Sequence, residues 1–264
     1  MEVLRFTLKG KSAFFKKPEV NSYFYFTYGN IHKVALLGIF GAILGYNGYT
    51  QMKSYVKSKK QSEIIKSWPE FYERLKDIKI AIIPSKRLKN GVIAKKIQCF
   101  NNSVGYASKE QGGNLIVKEQ WLENPEWEIC VLLDNEEAVK IKEYICNHKC
   151  VYYPYLGSND HFADITDTSV EEINPIEFNL GKISSMMPEK FVSISNLDDD
   201  DRDELEEMGI DAYGSFRYKE LLPVGIDEWT NQYIMEKMML TDYIVNVQEL
   251  AVYELSDHRN VVFF

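Results

Sequence analysis

Near the start of the chain Leu4, Phe6 and Leu8 alternate with Val3, Arg5 and Thr7, a period of two that predicts a half-buried strand. A polar, aromatic loop over residues 10–30 follows, and then an apolar run, VALLGIFGAILGY, at 34–46. That run predicts a helix from about 32 to 46 with Gly38, Gly41 and Gly45 on one face. A glycine inside a helix costs about 1 kcal/mol, so the face is read as one that needs close approach. Thirteen helical residues span roughly 20 Å, short of the ~30 Å of a hydrocarbon core. The run is therefore expected to be a buried helix, and Gly41 and Gly45 are not read as a membrane dimer motif.

Downstream, SEIIKSWPEFYERLKD reads as helix or loop-helix restarted at Pro69, and IKIAIIP as a buried strand ended by Pro84. Between residues 85 and 124, two strand-like arms, GVIAKKIQCF and NLIVKEQWL, flank NNSVGYASKEQGG. That pattern predicts a long hairpin with a mobile tip. EWEICVLLD is a further strand. NEEAVKIKEYICNH is a helix capped by Asn135, with Glu136 and Glu137 in its first turn. A loop, YYPYLGSND, leads into a strand at HFADITDTSVEEI. With the hairpin set aside the order is β-α-β-β-α-β, a ferredoxin-like arrangement of class α+β.

Beyond Asn174 the pattern changes to short strands and loops. The expected organisation is a ferredoxin-like domain over 1–174, carrying the hairpin insertion at 85–124, and a small β-rich region over 175–264. The acidic run SNLDDDDRDELEE at 195–207 reads as a solvated loop. A carboxylate metal site is the sharper alternative, but no pocket-forming segment accompanies it. The final strands are expected to turn at Ser256, Asp257 and His258, with the last residues built into a sheet.

Composition narrows the class. An apolar fraction of 45% with 13% aromatics in 264 residues excludes a wholly disordered chain. No charged leader precedes an apolar stretch at the start, so no secretory signal is expected. Cys99, Cys130, Cys146 and Cys150 follow no framework spacing. Cys146 and Cys150, with His148 between, lack a second ligand pair, so buried thiols in a reducing cytoplasm are expected rather than zinc. The net charge of −8 hides an asymmetry: residues 1–120 hold 21 Lys/Arg against 8 Asp/Glu, and residues 121–264 hold 10 against 31. A basic half points to nucleic acid; two surfaces that complement each other or a partner account for it equally well.

Candidate chemistry clusters in the basic half. Single-stranded RNA asks for cations, exposed backbone N–H groups and flat rings. The loop over 10–30 offers Lys11, Lys16, Lys17, Asn21 and Tyr25, with a solvated connector as its bland reading. His32 and Lys33 stand at a helix N-terminus, which favours an anion; capping or packing serves His32 equally. Lys86, Arg87, Lys89, Lys95 and Lys96 crowd the first hairpin arm, which otherwise is a solvated ribbon. Gly157, Ser158 and Asn159 form a tight turn that is either a cradle or a corner of the fold. His161 is expected to pack. His32 and Lys33 near Tyr25 could be assembled into a metal-independent RNA-cleaving set, but the four histidines have no spacing that demands it. No phosphate-binding loop, metalloprotease, serine-hydrolase or paired zinc motif occurs. No cofactor and no metal are expected.

Four blocks carry a resemblance: GKSAFFKKPEVNS, HKVALLGIFGAILGY, EQWLENPEWEICVLL and YYPYLGSNDHFADI, in that order between Gly10 and Ile165. In this the chain resembles the Cascade subunit of Cas family five, a CRISPR-associated protein of the RAMP superfamily, and is most similar to type I-B members. The C-terminal strands ending in VVFF fit more loosely. The resemblance implies a ferredoxin-like domain with a thumb hairpin and a β-rich C-terminal region. It implies a non-catalytic subunit that caps the 5′ handle of the guide RNA and joins the backbone and large subunits, meeting target DNA through the assembled complex in antiviral defense. No membrane partner is implied. In one subtype the same fold processes CRISPR repeat RNA, which makes an endoribonuclease the alternative.

Overall fold

The computed structural model describes residues 1–19, 23–52, 68–85, 87–101, 109, 116–194 and 214–264. The acidic run at 195–207, most of the hairpin tip, Asn21 and Lys86 lie outside the described residues. In chain order the first elements are β1 (Glu2–Lys9), β2 (Ser12–Ala13), α1 (Lys33–Leu44), α2 (Glu70–Leu75), β3 (Ile80–Pro84), β4 (Lys95–Asn101) and β5 (Ile116–Glu123). They are followed by β6 (Glu126–Leu132), α3 (Glu136–Cys146), β7 (Asp164–Glu172), β8 (Pro175–Ile176), β9 (Met187–Pro188) and β10 (Val192–Ile194). The last are β11 (Arg217–Ile226), β12 (Tyr233–Thr241), β13 (Val245–Val247), β14 (Val252–Glu254) and β15 (Asn260–Val262).

The central sheet has the order β3-β6-β1-β7, with antiparallel neighbours throughout. Together with α1 and α3 this is a mixed α+β arrangement of the split β-α-β-β-α-β kind. Strand alternation sends Leu4, Phe6 and Leu8 to one face, where they meet Leu36, Leu37 and Phe40 of α1 and Ile141 and Ile145 of α3 in one core. The opposite face is covered too. Val3, Ala81, Cys130 and Leu132 pack against Tyr253, Leu255, Val261 and Phe263 of the C-terminal segment. Phe264 then extends β3, exchanging two backbone hydrogen bonds with Ile80 at 3.0 and 3.3 Å.

A sheet buried on both faces places Arg5 and Thr7 under a second layer. Arg5 is resolved by an ion-pair network: its guanidinium meets Glu128, Glu171 and Asp257 at 2.6 to 3.0 Å, and Arg259 meets Glu128 and Asp257 at 2.6 and 2.7 Å. The side chains of Arg5 and Arg259 are only 13% and 14% exposed, so their charges are compensated where solvent cannot do it.

The caps explain where α1 and α3 begin and where α1 ends. His32 Nδ1 accepts from the Ala35 N–H at 3.2 Å, and Asn135 Oδ1 accepts from the Ala138 N–H at 2.9 Å. Gly45 ends α1 in the left-handed conformation, φ +79°. The three α1 glycines do not share one task. A Cβ on Gly41 would lie 2.6 Å from Phe71, so Gly41 admits α2, whereas a Cβ on Gly38 would meet nothing within 4 Å. The expectation of a common close-packed face therefore fails at Gly38.

Two other readings change. The region after Asn174 is not made of short strands alone: β11 and β12 form a nine-pair hairpin with a register shift between Pro223 and Gly225. Pro223 and Gly225 hid that strand from a period-two search, since proline and glycine mark bulges. Cys146 and Cys150 are exposed rather than buried, as is Cys99, and only Cys130 is buried. No helix among the described residues is long and apolar enough to cross a membrane.

Candidate nucleic-acid interface

The loop between β1 and α1 is held from both sides. The Gly10 N–H donates to Pro125 O, the Asn124 N–H to Lys11 O and the Phe14 N–H to Leu156 O, all at 3.0 to 3.1 Å. Tyr25 joins the loop to the hairpin: its N–H donates to Lys118 O at 2.8 Å, and its carbonyl accepts from the Gln120 N–H at 2.9 Å. Lys16 is exposed and its ammonium sits 4.1 Å above the Tyr25 ring, an attraction between cation and ring quadrupole that orients the charge. Lys11 is exposed as well. Lys17 is half-buried and paired with Glu220 at 3.3 Å.

The hairpin arms β4 and β5 pair with Lys95 opposite Leu122 and Lys96 opposite Trp121, so the two lysines leave opposite faces of the ribbon. Lys96 lies 3.7 Å from Glu123 and 5.8 Å from the Trp121 ring centre. His161 meets the same indole edge-on, ring centres 4.5 Å apart, and its Nδ1 is hydrogen-bonded to Ser12 Oγ at 2.6 Å. Burial lowers the His161 pKa, so the ring is a neutral packing group at the hairpin base. Arg87 is 84% exposed and lies 3.4 Å from Glu126. It lines a cavity of about 390 Å³ with Arg5 and Arg259, away from Lys16. The Lys89 backbone belongs to the turn Lys89–Gly91.

The turn at Gly157 is a corner of the fold. Gly157 has φ +93°, and a Cβ there would fall 1.9 Å from Phe14 O, so the loop lies backbone against backbone on the β1–α1 loop. Leu156 donates its N–H to His161 O at 2.7 Å, and Ser158 O accepts from the His161 N–H at 3.0 Å. Asn159 is exposed at the tip. Around it Tyr152, Tyr153, Tyr155 and Phe162 are 61%, 82%, 45% and 68% exposed, an unusual density of solvent-facing rings.

Between these loops and α1 runs a groove of about 280 Å³, lined among others by Phe15, Lys16, His32, Gly38, Gly157 and Tyr233. It shares Lys16, Tyr49 and Tyr233 with a wider cleft of about 680 Å³. His32 is 4% exposed, and burial pushes its pKa down to about 3, so the imidazole is neutral. Its Nδ1 is the helix cap, which places the proton on Nε2. Lys33 turns elsewhere: burial lowers its pKa to about 8, with Asp77 acting against the shift.

Lys16, His32 and Gly157 thus come together, with Tyr25 beside Lys16. Lys17, Lys33 and Arg87 are separate from the groove lining. Sequence reasoning missed Tyr49, Tyr233 and Glu220, which reach this region from distant segments without any local motif. Gly38 did carry a signal, a costly glycine in a helix. Among the described residues, no group of three or more His, Cys, Asp or Glu side chains could hold a metal ion.

No family model matches the sequence, and no curated protein does. Among solved structures, the chain is similar to one from a CRISPR RNA-guided surveillance complex, at 11% identity and TM-score 0.49 over 91% of this chain and 90% of that one. It is similar to a CRISPR protein from Archaeoglobus fulgidus at 12% identity and TM-score 0.49, covering 100% and 98%. A third likeness is to a chain of the type III-B Cmr-beta bound to cognate target RNA and AMPPnP, at 12% identity and TM-score 0.48, covering 93% and 86%. The strand order described above stands on the chain's own hydrogen bonds.

Proposed function

We propose that this chain is a non-catalytic, RNA-binding subunit of a CRISPR effector of the Cascade kind. Its role in this reading is to cap the 5′ handle of the guide RNA and to join backbone and large subunits. The observation that carries the RNA part is the meeting of Lys16, the Tyr25 ring and an open groove walled by Tyr49 and Tyr233. Single-stranded RNA is bound by that combination, cations for phosphates and rings for unstacked bases. The four sequence blocks supply the CRISPR part. In this reading β4 and β5 are a thumb that carries Lys95 and Lys96 away from the central sheet toward RNA or a neighbouring subunit.

The nuclease alternative is weaker for a physical reason. A general base works best with a pKa near the operating pH, and His32 stands at about 3 with Nδ1 committed to the helix. His161 is lowered as well and bonded to Ser12.

The test is a gel-shift series with the protein's own CRISPR repeat RNA in EDTA across a salt gradient. Phosphate contacts predict affinity that falls steeply with salt, and Lys16→Ala with Lys95→Ala and Lys96→Ala should flatten the slope. Salt-independent association would reject the RNA reading, and a discrete cut product in chelator would replace it with the nuclease.

A further inference from the structure

Gly38 lies in the interior of α1, where glycine costs about 1 kcal/mol relative to alanine, yet a Cβ there would meet nothing within 4 Å. Among the described residues neither a turn nor packing requires it: unlike Gly45 it has no left-handed backbone, and unlike Gly41 it has no helix against it. What lies over it is the groove. A side chain at this position would occupy that space, so the glycine keeps the groove deep at the expense of the helix.

The groove has a polar group with no protein partner. His32 is 4% exposed and lines the groove. Its Nδ1 accepts from Ala35, so Nε2 carries the proton, and among the described residues that nitrogen makes no hydrogen bond. The ring is gripped edge-to-face by Phe15, Tyr28 and Tyr233 at 5.2 to 5.9 Å between ring centres, which fixes the direction of its N–H. Nε2 is not closed off by the surrounding protein, so its N–H is a donor that an acceptor seated in the groove can reach, and that makes it a docking point.

We propose that the groove over Gly38 receives one unstacked nucleobase of the bound RNA, whose edge accepts the His32 Nε2–H while the flanking phosphate lies toward Lys16. The inference rests on the RNA-binding reading and deepens it. At about 280 Å³ the groove is smaller than the sites that take drug-sized ligands, and it suits a single flat ring. Lys16 on its rim carries the charge opposite to a phosphate. Every base presents a ring nitrogen or carbonyl acceptor on its edge, so the site selects for being unstacked rather than for one letter.

The experiment is a binding scan of the intact protein with repeat RNA in which a single abasic site is moved along the strand, repeated with Gly38→Leu and Gly38→Ala. In the wild type one position should lower affinity on the order of 10-fold, the usual effect of losing one stacked base. In Gly38→Leu, whose side chain fills the groove, intact RNA should bind about as weakly as that abasic strand, and the abasic site should add nothing. Gly38→Ala should give a smaller effect, with a melting temperature equal to or above the wild type. Wild-type affinity for RNA in Gly38→Leu, or an equal loss at every abasic position, overturns the groove assignment and leaves the RNA reading intact. Absence of RNA binding by the wild type overturns both.

Discussion

The Glu220 carboxylate lies beneath Lys17, pairing with its ammonium at 3.3 Å while accepting the Gly29 N–H at 2.9 and 3.0 Å. Tyr218 Oη donates to the same carboxylate at 2.6 Å. One acidic side chain on β11 thus fastens both ends of the loop that carries Lys16 and Tyr25. Lys17 is a clasp in this arrangement, whereas Lys16 remains on the exposed side.

Glu220→Ala should therefore destabilise the fold by about 1–3 kcal/mol, since several hydrogen-bonding groups lose one charged partner. Lys17→Ala should cost less, because its side chain is 32% exposed and solvent can replace part of the pair. Urea unfolding of both variants checks the order. Equal costs would mean that the clasp is the ion pair and not the Gly29 contact.

Two glycines give opposite expectations. Gly157→Ala places a methyl 1.9 Å from Phe14 O at a backbone φ of +93°, so the two loops must part; a loss of more than 2 kcal/mol is expected. Gly38→Ala should be neutral or stabilising by up to about 1 kcal/mol. Thermal melts of the pair decide it, and a destabilised Gly38→Ala would show that something packs over α1.

These contrasts show which parts of the molecule were legible from sequence. Alternation in β1 and the Asn135 cap of α3 depend on neighbours in the chain, and both elements appear where the pattern placed them. The groove depends on Tyr49, Tyr155 and Tyr233, brought together from three segments, and no local period encodes such a meeting. Glu220 was hidden for the same reason, inside a strand broken by Pro223 and Gly225. Charge type was readable, but the tertiary partner was not: nothing local to Lys17 announces that it pairs with Glu220, which comes from β11, far along the chain.

The second layer over the central sheet makes its own prediction. Arg5→Ala leaves Glu128 and Glu171 facing the β14–β15 segment without their central cation. Breaking a largely buried pair costs about 3–5 kcal/mol. Asp257→Ala alone should cost less, its side chain being 40% exposed, and the double variant should fall short of additivity because the two share one network. A double-mutant cycle in urea measures the shortfall, and strict additivity would mean that Arg5 and Asp257 do not interact.

His32 should leave a signature in acid. Burial holds its folded pKa at about 3, against 6.5 for the free side chain. Between those values the unfolded chain takes up a proton that the folded chain does not. Stability is therefore complete above pH 6.5 and falls as pH drops toward 3, with a slope of up to about 1.4 kcal/mol per pH unit from this group. His32→Asn keeps a side-chain acceptor for the Ala35 N–H and removes the titration. Between pH 7 and pH 5 the wild type should lose about 1–2 kcal/mol more than the variant, read by urea unfolding at each pH. Carboxylate effects are common to both proteins and cancel in the comparison. Parallel pH profiles would mean that the folded ring takes up its proton as easily as the unfolded one, through contact of the groove with water, and would remove the neutral N–H donor from the base-binding proposal.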